Sequence, residues 1–232
     1  MSQLSKAQIE NLYQFTRQHF VEWYDLQTEL VDHLANDIEV MMENEKDLSF
    51  EKAKYLSFKK FGVFGFSDII EKKQNSLSTH YWKLVGKYFL EYLKLPKILF
   101  TLFLIAVSFS VLKWFEEPKY FMITFFATLY GFLFHHLYRF HKMMKHNTKI
   151  TQRKWLFEHT ILNLGGAVCL AGIPIQILGN VLDATKWTDK SLIIYSTLMI
   201  VVGLITFILI KIVPKKIFQE MSKQFPEYKQ IA

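Results

Sequence analysis

Four long apolar segments in the C-terminal part of the chain constrain its fold more than any other feature. They occupy residues 96–115, 120–140, 160–182 and 191–213, and their apolar stretches carry almost no charge. A helix needs about 20 apolar residues to cross the hydrocarbon core of a bilayer. The sequence therefore predicts a bundle of four transmembrane helices, with the lipid bilayer as its surroundings. The first apolar run begins too late to be a cleavable leader, so we expect this span to be retained.

The positions of Lys and Arg predict the orientation of these spans. The connection between the second and third spans, residues 139–155, carries six of them, and the tail from Lys211 carries five. The other two connections, residues 113–119 and 183–190, carry two each and are balanced by acidic residues. Because basic flanks are retained in the cytoplasm, we expect a multi-pass protein of the inner membrane with both termini cytoplasmic. The same bias accounts for the net charge of +7 without direct nucleic acid binding.

Residues 1–75 differ in charge from the rest of the chain and read as a small helical head. They contain nine Lys and Arg against thirteen Asp and Glu. Ser5 is a candidate N-cap for a first helix, whose predicted apolar face is Ile9, Leu12, Tyr13, Phe15 and Phe20. A second helix covers about residues 25–44, and its core stripe at helical spacing is Leu26, Leu30, Leu34, Ile38 and Met41.

Two further helix starts complete the head. Ser49 is a candidate N-cap for a third helix that ends near Phe61 and Gly62, where glycine suits a left-handed backbone. Ser67 can cap the last head helix. The predicted fold class is all-α: a small cytoplasmic helical bundle (1–75), an amphipathic elbow helix (76–95), a four-helix transmembrane bundle (96–213) and a cytoplasmic tail (214–232).

Residues 78–95 admit two interpretations. Lysines recur on one side at helical spacing, while Trp82, Val85, Phe89 and Leu93 lie off that side. This pattern is typical of a helix at the membrane interface, with Pro96 at the start of the first span. The same periodicity also fits a fourth helix packed on the head.

The head resembles a known family. The residues that carry the resemblance are Leu26, Glu29, Leu30, Asp32-His33-Leu34, Ile38-Glu39, the segment 48–53 and Phe61-Gly62. Together they are similar to the HAAS-type helical domain, also described as a permease prefix domain. The resemblance covers about the first seventy residues. It implies a short cytoplasmic helical module in front of bacterial membrane helices, in proteins associated with PadR-like transcriptional regulators or with permeases.

The acidic, His-containing stretch 29–39 is the first candidate site. Helix geometry places His33 and Asp37 four residues apart at the edge of the core face. A metal site needs three or four converging ligands, so we interpret this pair as structural rather than metal-binding. The outer residues Glu29, Asp32, Asn36 and Glu39 form the predicted interaction surface.

Histidines near the inner ends of the second and third spans form the second candidate. His135, His136 and His159 are predicted at a similar depth, with His141 and His146 in the adjoining connection. Such groups could ligate haem or a metal ion, or could simply lie among wet lipid headgroups. The prediction is no metal and no cofactor, with these three histidines as the candidates if a metal is bound.

Signatures of catalysis are not found in the sequence. There is no Gly-rich phosphate loop, no His-Glu-x-x-His and no nucleophile elbow, and the single cysteine, Cys169, falls inside the third predicted span. Small residues in that span, including Gly165, Gly166 and Gly172, favour close helix packing. They also leave open a broken helix in a transport path, near Pro174.

These features predict function through contact rather than catalysis. The first hypothesis is a regulatory or signalling accessory protein whose head binds a transcriptional regulator or a permease. The acidic head could offer a surface to a basic partner, or dock on its own basic 139–155 connection and leave it when the spans move. The alternatives are a subunit of a membrane transporter and, from a different class, a haem- or metal-dependent membrane oxidoreductase. A homo-oligomer is a further alternative that the sequence leaves open.

Overall fold

The computed structural model describes residues 4–170 and 188–230, which are helical throughout their regular elements, with no strand among them. The predicted all-α class is confirmed for this part of the chain. The helices before residue 171 are α1 (Lys6–Gln18), α2 (Tyr24–Asn44), α3 (Phe50–Lys59), α4 (Ser67–Tyr92), α5 (Lys97–Trp114), α6 (Pro118–Thr151) and α7 (Leu156–Leu170). After residue 187 come α8 (Asp189–Phe207), a π-helical turn (Ile208–Ile212), α9 (Val213–Gln224) and a 3-10 turn (Pro226–Gln230).

The chain packs as two compact units. Among the residues that the structure describes, the head unit contains residues 4–77 together with residues 146–160, and the span unit contains residues 78–145, 161–170 and 188–230. The head unit is thus built from two segments that are far apart in the sequence. Residues 146–160 include the end of α6, the connection to α7 and the first residues of α7.

The core of the head unit follows the predicted stripe on α2. Leu26, Leu30, Leu34 and Ile38 are each at most 1% exposed, and Met41 packs against them. The other buried members come from the helices and connections of the head and from the start of α7: Leu12, Val21, Val31, Leu48, Ala53, Phe66 and Leu156. This burial of apolar surface is the main force that holds the unit together.

Local signals set the helix boundaries of the head. Ser5 and Ser49 accept hydrogen bonds from the amides of Gln8 and Lys52, which confirms both predicted N-caps. Gly62 has a φ of +79°, which is a left-handed conformation that glycine adopts without steric cost. Phe20 was predicted on the core face but is 84% exposed, because α1 ends at Gln18 and the chain turns before Phe20.

Helix α4 crosses the predicted boundary between head and elbow. It is one helix of 26 residues, where the sequence predicted a last head helix followed by a separate elbow helix. Its early residues Ile69, Ile70 and Leu77 pack on the head core. Tyr81, Leu84 and Val85 are buried within the span unit.

Three helical segments of the described chain are long and apolar enough to cross a membrane. They are Lys97–Trp114, Pro118–Thr151 and Asp189–Gln224, and an 18-residue stretch of each has a mean hydropathy of 1.8, 1.3 and 2.6, respectively. The third predicted span, 160–182, is described only as far as Leu170, so the rest of that prediction lies outside the described residues. Helix α6 continues to Thr151, so most of the 139–155 connection is helical, and the predicted tail begins with α9.

Candidate functional site: the anchorage of helix α7 on the head

Helix α7 has no Ser, Thr, Asp or Asn at the position before its first residue. The first amides of any α-helix have no partner within the helix, and a nearby Ser, Thr, Asp or Asn side chain usually accepts from them. Thr188 plays this part for α8. The residue before α7 is Trp155, whose indole N–H is a donor only and cannot accept from an amide. The acceptor is supplied from the head, by Asp25 near the start of α2.

The carboxylate of Asp25 receives the first amides of α7. The N–H of Leu156 donates to Oδ1 at 3.0 Å and to Oδ2 at 3.2 Å. The amides of Phe157 and Leu26 also donate to this carboxylate. A negative charge at this position complements the positive end of the α7 dipole. Asp25 therefore acts as an N-cap for a helix that lies 131 residues away in the sequence.

Burial makes the proton equilibrium of Asp25 unusual. Asp25 is only 6% exposed, and this burial raises the pKa of its carboxyl group above the ordinary value of 3.8. The amides of Leu156, Leu26 and Phe157 lower the pKa and offset the burial only in part. The contact between residues 22–26 and residues 153–157, called the anchorage below, thus contains a carboxyl group that is protonated more readily than that of an exposed aspartate.

A pH dependence of stability follows from this raised pKa. Between pH 3.8 and the folded-state pKa, the folded head binds more protons at Asp25 than the unfolded chain does, so this contribution to stability declines as the pH rises through that window. We expect the melting temperature of the wild type, relative to Asp25→Asn, to increase as the pH is lowered from 7 towards 4. Thermal unfolding of both proteins in detergent across that range measures the difference. A difference that stays constant, or that changes in the opposite direction, contradicts the assignment.

A short backbone contact continues the anchorage on the N-terminal side of α7. The N–H of Tyr24 donates to the carbonyl oxygen of Lys154 at 2.7 Å, and Trp23 and Lys154 form an isolated parallel bridge. The ammonium of Lys154 pairs with the carboxylate of Glu22, although both side chains are exposed and the pair contributes at most about 1 kcal/mol. The backbone pairing fixes the register between α2 and the connection to α7.

Aromatic side chains also pack where the connection to α7 meets α2. Trp155 is 1% exposed and meets the ring of Tyr24 edge to face, with centroids 5.3 Å apart. The guanidinium carbon of Arg153 lies 3.9 Å from the centroid of the Tyr24 ring. The next residue, Leu156, is fully buried in the head core. The connection thus contacts the head through a cation–ring contact of Arg153 and through the buried side chains of Trp155 and Leu156.

The predicted His33–Asp37 pair is corrected by the structure. Asp37 instead accepts a hydrogen bond from Lys60 Nζ at 2.6 Å, so it links α2 to the end of α3. Burial alone would raise the pKa of Asp37, but hydrogen bonds from Lys60 and Ser57 outweigh it and hold the pKa below its ordinary value. His33 is exposed and lines the same surface depression as Asp37. The long Lys60 side chain reaches Asp37 from another helix, which a projection of α2 alone does not reveal.

The predicted interaction surface on α2 is divided by internal contacts. Glu29 pairs with Lys73 of α4, and Glu39 accepts a hydrogen bond from the amide of Leu4 at 2.8 Å. Asp32 and Asn36 are exposed. The part of this acidic surface open to a partner therefore centres on Asp32 and Asn36.

The candidate metal-binding histidines belong to different units. His135 and His136 are on α6 in the span unit, with ring centroids 6.3 Å apart, whereas His159 is in the head unit. The ring of His159 lies 6.2 Å from that of Trp23. In residues 4–170 and 188–230 there is no group of three or more His, Cys, Asp or Glu side chains that could hold a metal ion.

Comparison with known proteins adds no family or function to this geometry. No family model matches the chain, and neither a curated protein nor a solved structure is significantly similar to it.

Proposed function

We propose that this chain is a regulatory or signalling accessory protein of the bacterial inner membrane, without catalytic activity, whose cytoplasmic head responds to the third span. The observation that carries the proposal is the buried Asp25 carboxylate that accepts the first amides of α7. Helix α7, residues 156–170, contains the first residues of the predicted third span, 160–182. The head is therefore attached to the chain at a point that a movement of this span would disturb.

The chemistry of the anchorage suits a two-state contact. Helix shifts of about 1–2 Å are common in switching proteins. A shift of that size would lengthen the 3.0 Å bond between Leu156 and Asp25 beyond hydrogen-bonding distance. It would also expose a buried carboxylate and Trp155 to water. The attached and released heads would then differ in the surface that they present to a partner.

The partner that we propose is a transcriptional regulator or another membrane protein, a permease among them. The resemblance of the head to the HAAS-type module supports this class of partner. In the attached head, Val63 is 98% exposed and Phe64 is 72% exposed at the turn between α3 and α4. Large exposed apolar side chains of this kind are typical of a protein contact surface.

Locked and released variants test the proposal in cells. Asp25→Ala represents the released head. Glu22→Cys with Lys154→Cys, in a Cys169→Ser background, allows the attached head to be locked by a bifunctional thiol reagent, because the two native side chains form an ion pair. We expect the released and locked proteins to change the transcript profile of the host in opposite directions at equal membrane abundance. The double-cysteine protein without reagent is the control.

Two results would count against the regulatory role. Identical transcript profiles in wild-type, locked and released strains would show that head attachment carries no signal. Unchanged transcripts with altered uptake of a solute would favour the other candidate function, a transporter subunit. Equal abundance of the three proteins in the membrane excludes loss of the protein as the cause.

A further inference from the structure

The span unit contains a partly open apolar cavity of about 80 Å³. Its walls are aliphatic and aromatic side chains of α4, α6, α7, the π-helical turn and α9, together with the imidazole of His136. Leu133, Leu164 and Ile217 of this wall are all less than 10% exposed. The cavity is therefore formed inside the packing of the unit rather than on the outside of one helix. Apolar cavities in proteins stay dry and accept hydrocarbon.

Two backbone features form this cavity. A Cβ atom at Gly165 would lie 2.5 Å from Leu137 Cδ2, so the glycine allows α7 to approach α6 closely at one wall. The lining also includes Leu209 and Ile210 of the π-helical turn Ile208–Ile212. Such turns are rare within helices and are frequent at functional sites.

Positive charge lies next to the apolar walls. The charges of Lys211 and Arg139 lie within electrostatic range of His136, which lines the cavity. Lys211 belongs to the π-helical turn itself, and both cationic side chains are exposed. An apolar cavity with adjacent cations matches a molecule that has a hydrocarbon chain and an anionic head.

We propose that this partly open cavity binds a segment of an acyl chain of an anionic phospholipid, with the lipid headgroup at Lys211 and Arg139. The walls exclude a charged or sugar-like solute, since their side chains are apolar apart from His136 and polar atoms of Tyr81 and Trp82. The membrane around the spans supplies the lipid. This site does not depend on the regulatory role proposed for the head.

Fluorescence quenching by brominated lipid tests the proposal in the full-length protein. Trp82 lines the cavity and is 43% exposed, so a brominated chain in the cavity will quench it. The signal is the difference in tryptophan fluorescence between the wild type and Trp82→Phe. Both proteins are placed in phosphatidylcholine vesicles that contain increasing amounts of brominated phosphatidylglycerol. Brominated phosphatidylcholine in place of brominated phosphatidylglycerol is the reference. We expect an apparent affinity about tenfold higher for phosphatidylglycerol, because each basic side chain near an anionic headgroup adds to binding.

Three variants distinguish lipid binding at this site from the general contact with lipid that every membrane protein makes. Leu209→Phe, which fills the cavity, and the double variant Lys211→Gln with Arg139→Gln should each reduce the phosphatidylglycerol preference to the reference level. Lys190→Gln, the same change at the other end of the α8–α9 segment, should retain it. Equal quenching by the two lipids in the wild type, or a preference that survives either test variant, would overturn the proposal. Melting temperatures of the variants show whether each is folded.

Discussion

Asp25→Ala should release the start of α7 from the head and destabilise the head unit by about 2–4 kcal/mol. The buried amides of Leu156 and Phe157 would lose their acceptor, and each buried donor left without a partner costs about 1–3 kcal/mol. Trypsin reports the release, since it cleaves after Arg153 and Lys154 in the segment that the anchorage holds. We expect cleavage at these two positions, followed by mass spectrometry of the peptides, to become at least about tenfold faster.

Asp32→Ala is the matched control for this prediction. Asp32 is on the same helix and is exposed, so its removal should change stability by at most about 0.5 kcal/mol. Cleavage rates after Arg153 and Lys154 that are the same in Asp25→Ala and Asp32→Ala would show that Asp25 does not hold the connection.

Trp155→Ala should destabilise the head unit by about 3–5 kcal/mol, the usual cost of removing a fully buried large aromatic side chain. Trp155 is 1% exposed and packs edge to face on Tyr24, so its loss leaves a void between the connection and α2. Thermal unfolding followed by near-ultraviolet circular dichroism should show a lower melting temperature for the head.

The change Trp114→Ala controls for the loss of a tryptophan as such. Trp114 ends α5 in the span unit and is 84% exposed. We expect the head transition of Trp114→Ala to match that of the wild type. A Trp155→Ala protein with an undisturbed head transition would mean that the connection is not part of the folded head.

The sequence was sufficient to predict the parts of the fold that depend on neighbouring residues. Helical periodicity identified the core stripe from Leu26 to Ile38, and short-range capping identified Ser5 and Ser49. The apolar runs 96–115 and 120–140 correspond to α5 and to the first part of α6. Each of these signals acts within one or two helical turns, so it can be read without knowledge of the tertiary structure.

The anchorage could be predicted only in outline. The charge difference gave docking of the acidic head on the basic 139–155 connection as one of two alternatives, but it did not identify the residues. The main contacts are a buried carboxylate, a backbone bridge and two buried apolar side chains, while the Glu22–Lys154 ion pair is exposed. One signal was present: the sequence KWLFE starts a helix with Trp rather than Ser, Thr, Asp or Asn at the N-cap position, which indicates an acceptor from elsewhere in the chain.

Two differences between prediction and structure have the same cause. Phe20 was assigned to the core because it continues the apolar pattern of α1, yet the helix ends at Gln18. Asp37 was paired with His33 because both are on α2, yet Lys60 reaches it from the end of α3. In both cases the tertiary arrangement decides what a local pattern leaves open.

Amide hydrogen exchange at the start of α7 tests the central claim most directly. The amides of Leu156 and Phe157 are in the first turn of their helix, where no backbone carbonyl of the helix accepts from them. Their protection in this account comes from the Asp25 carboxylate. The account predicts slow exchange of both amides in the wild type, and exchange about 30-fold faster in Asp25→Ala, which corresponds to the loss of about 2 kcal/mol. Fast exchange of these amides in the wild type, or protection that persists in Asp25→Ala, would contradict it.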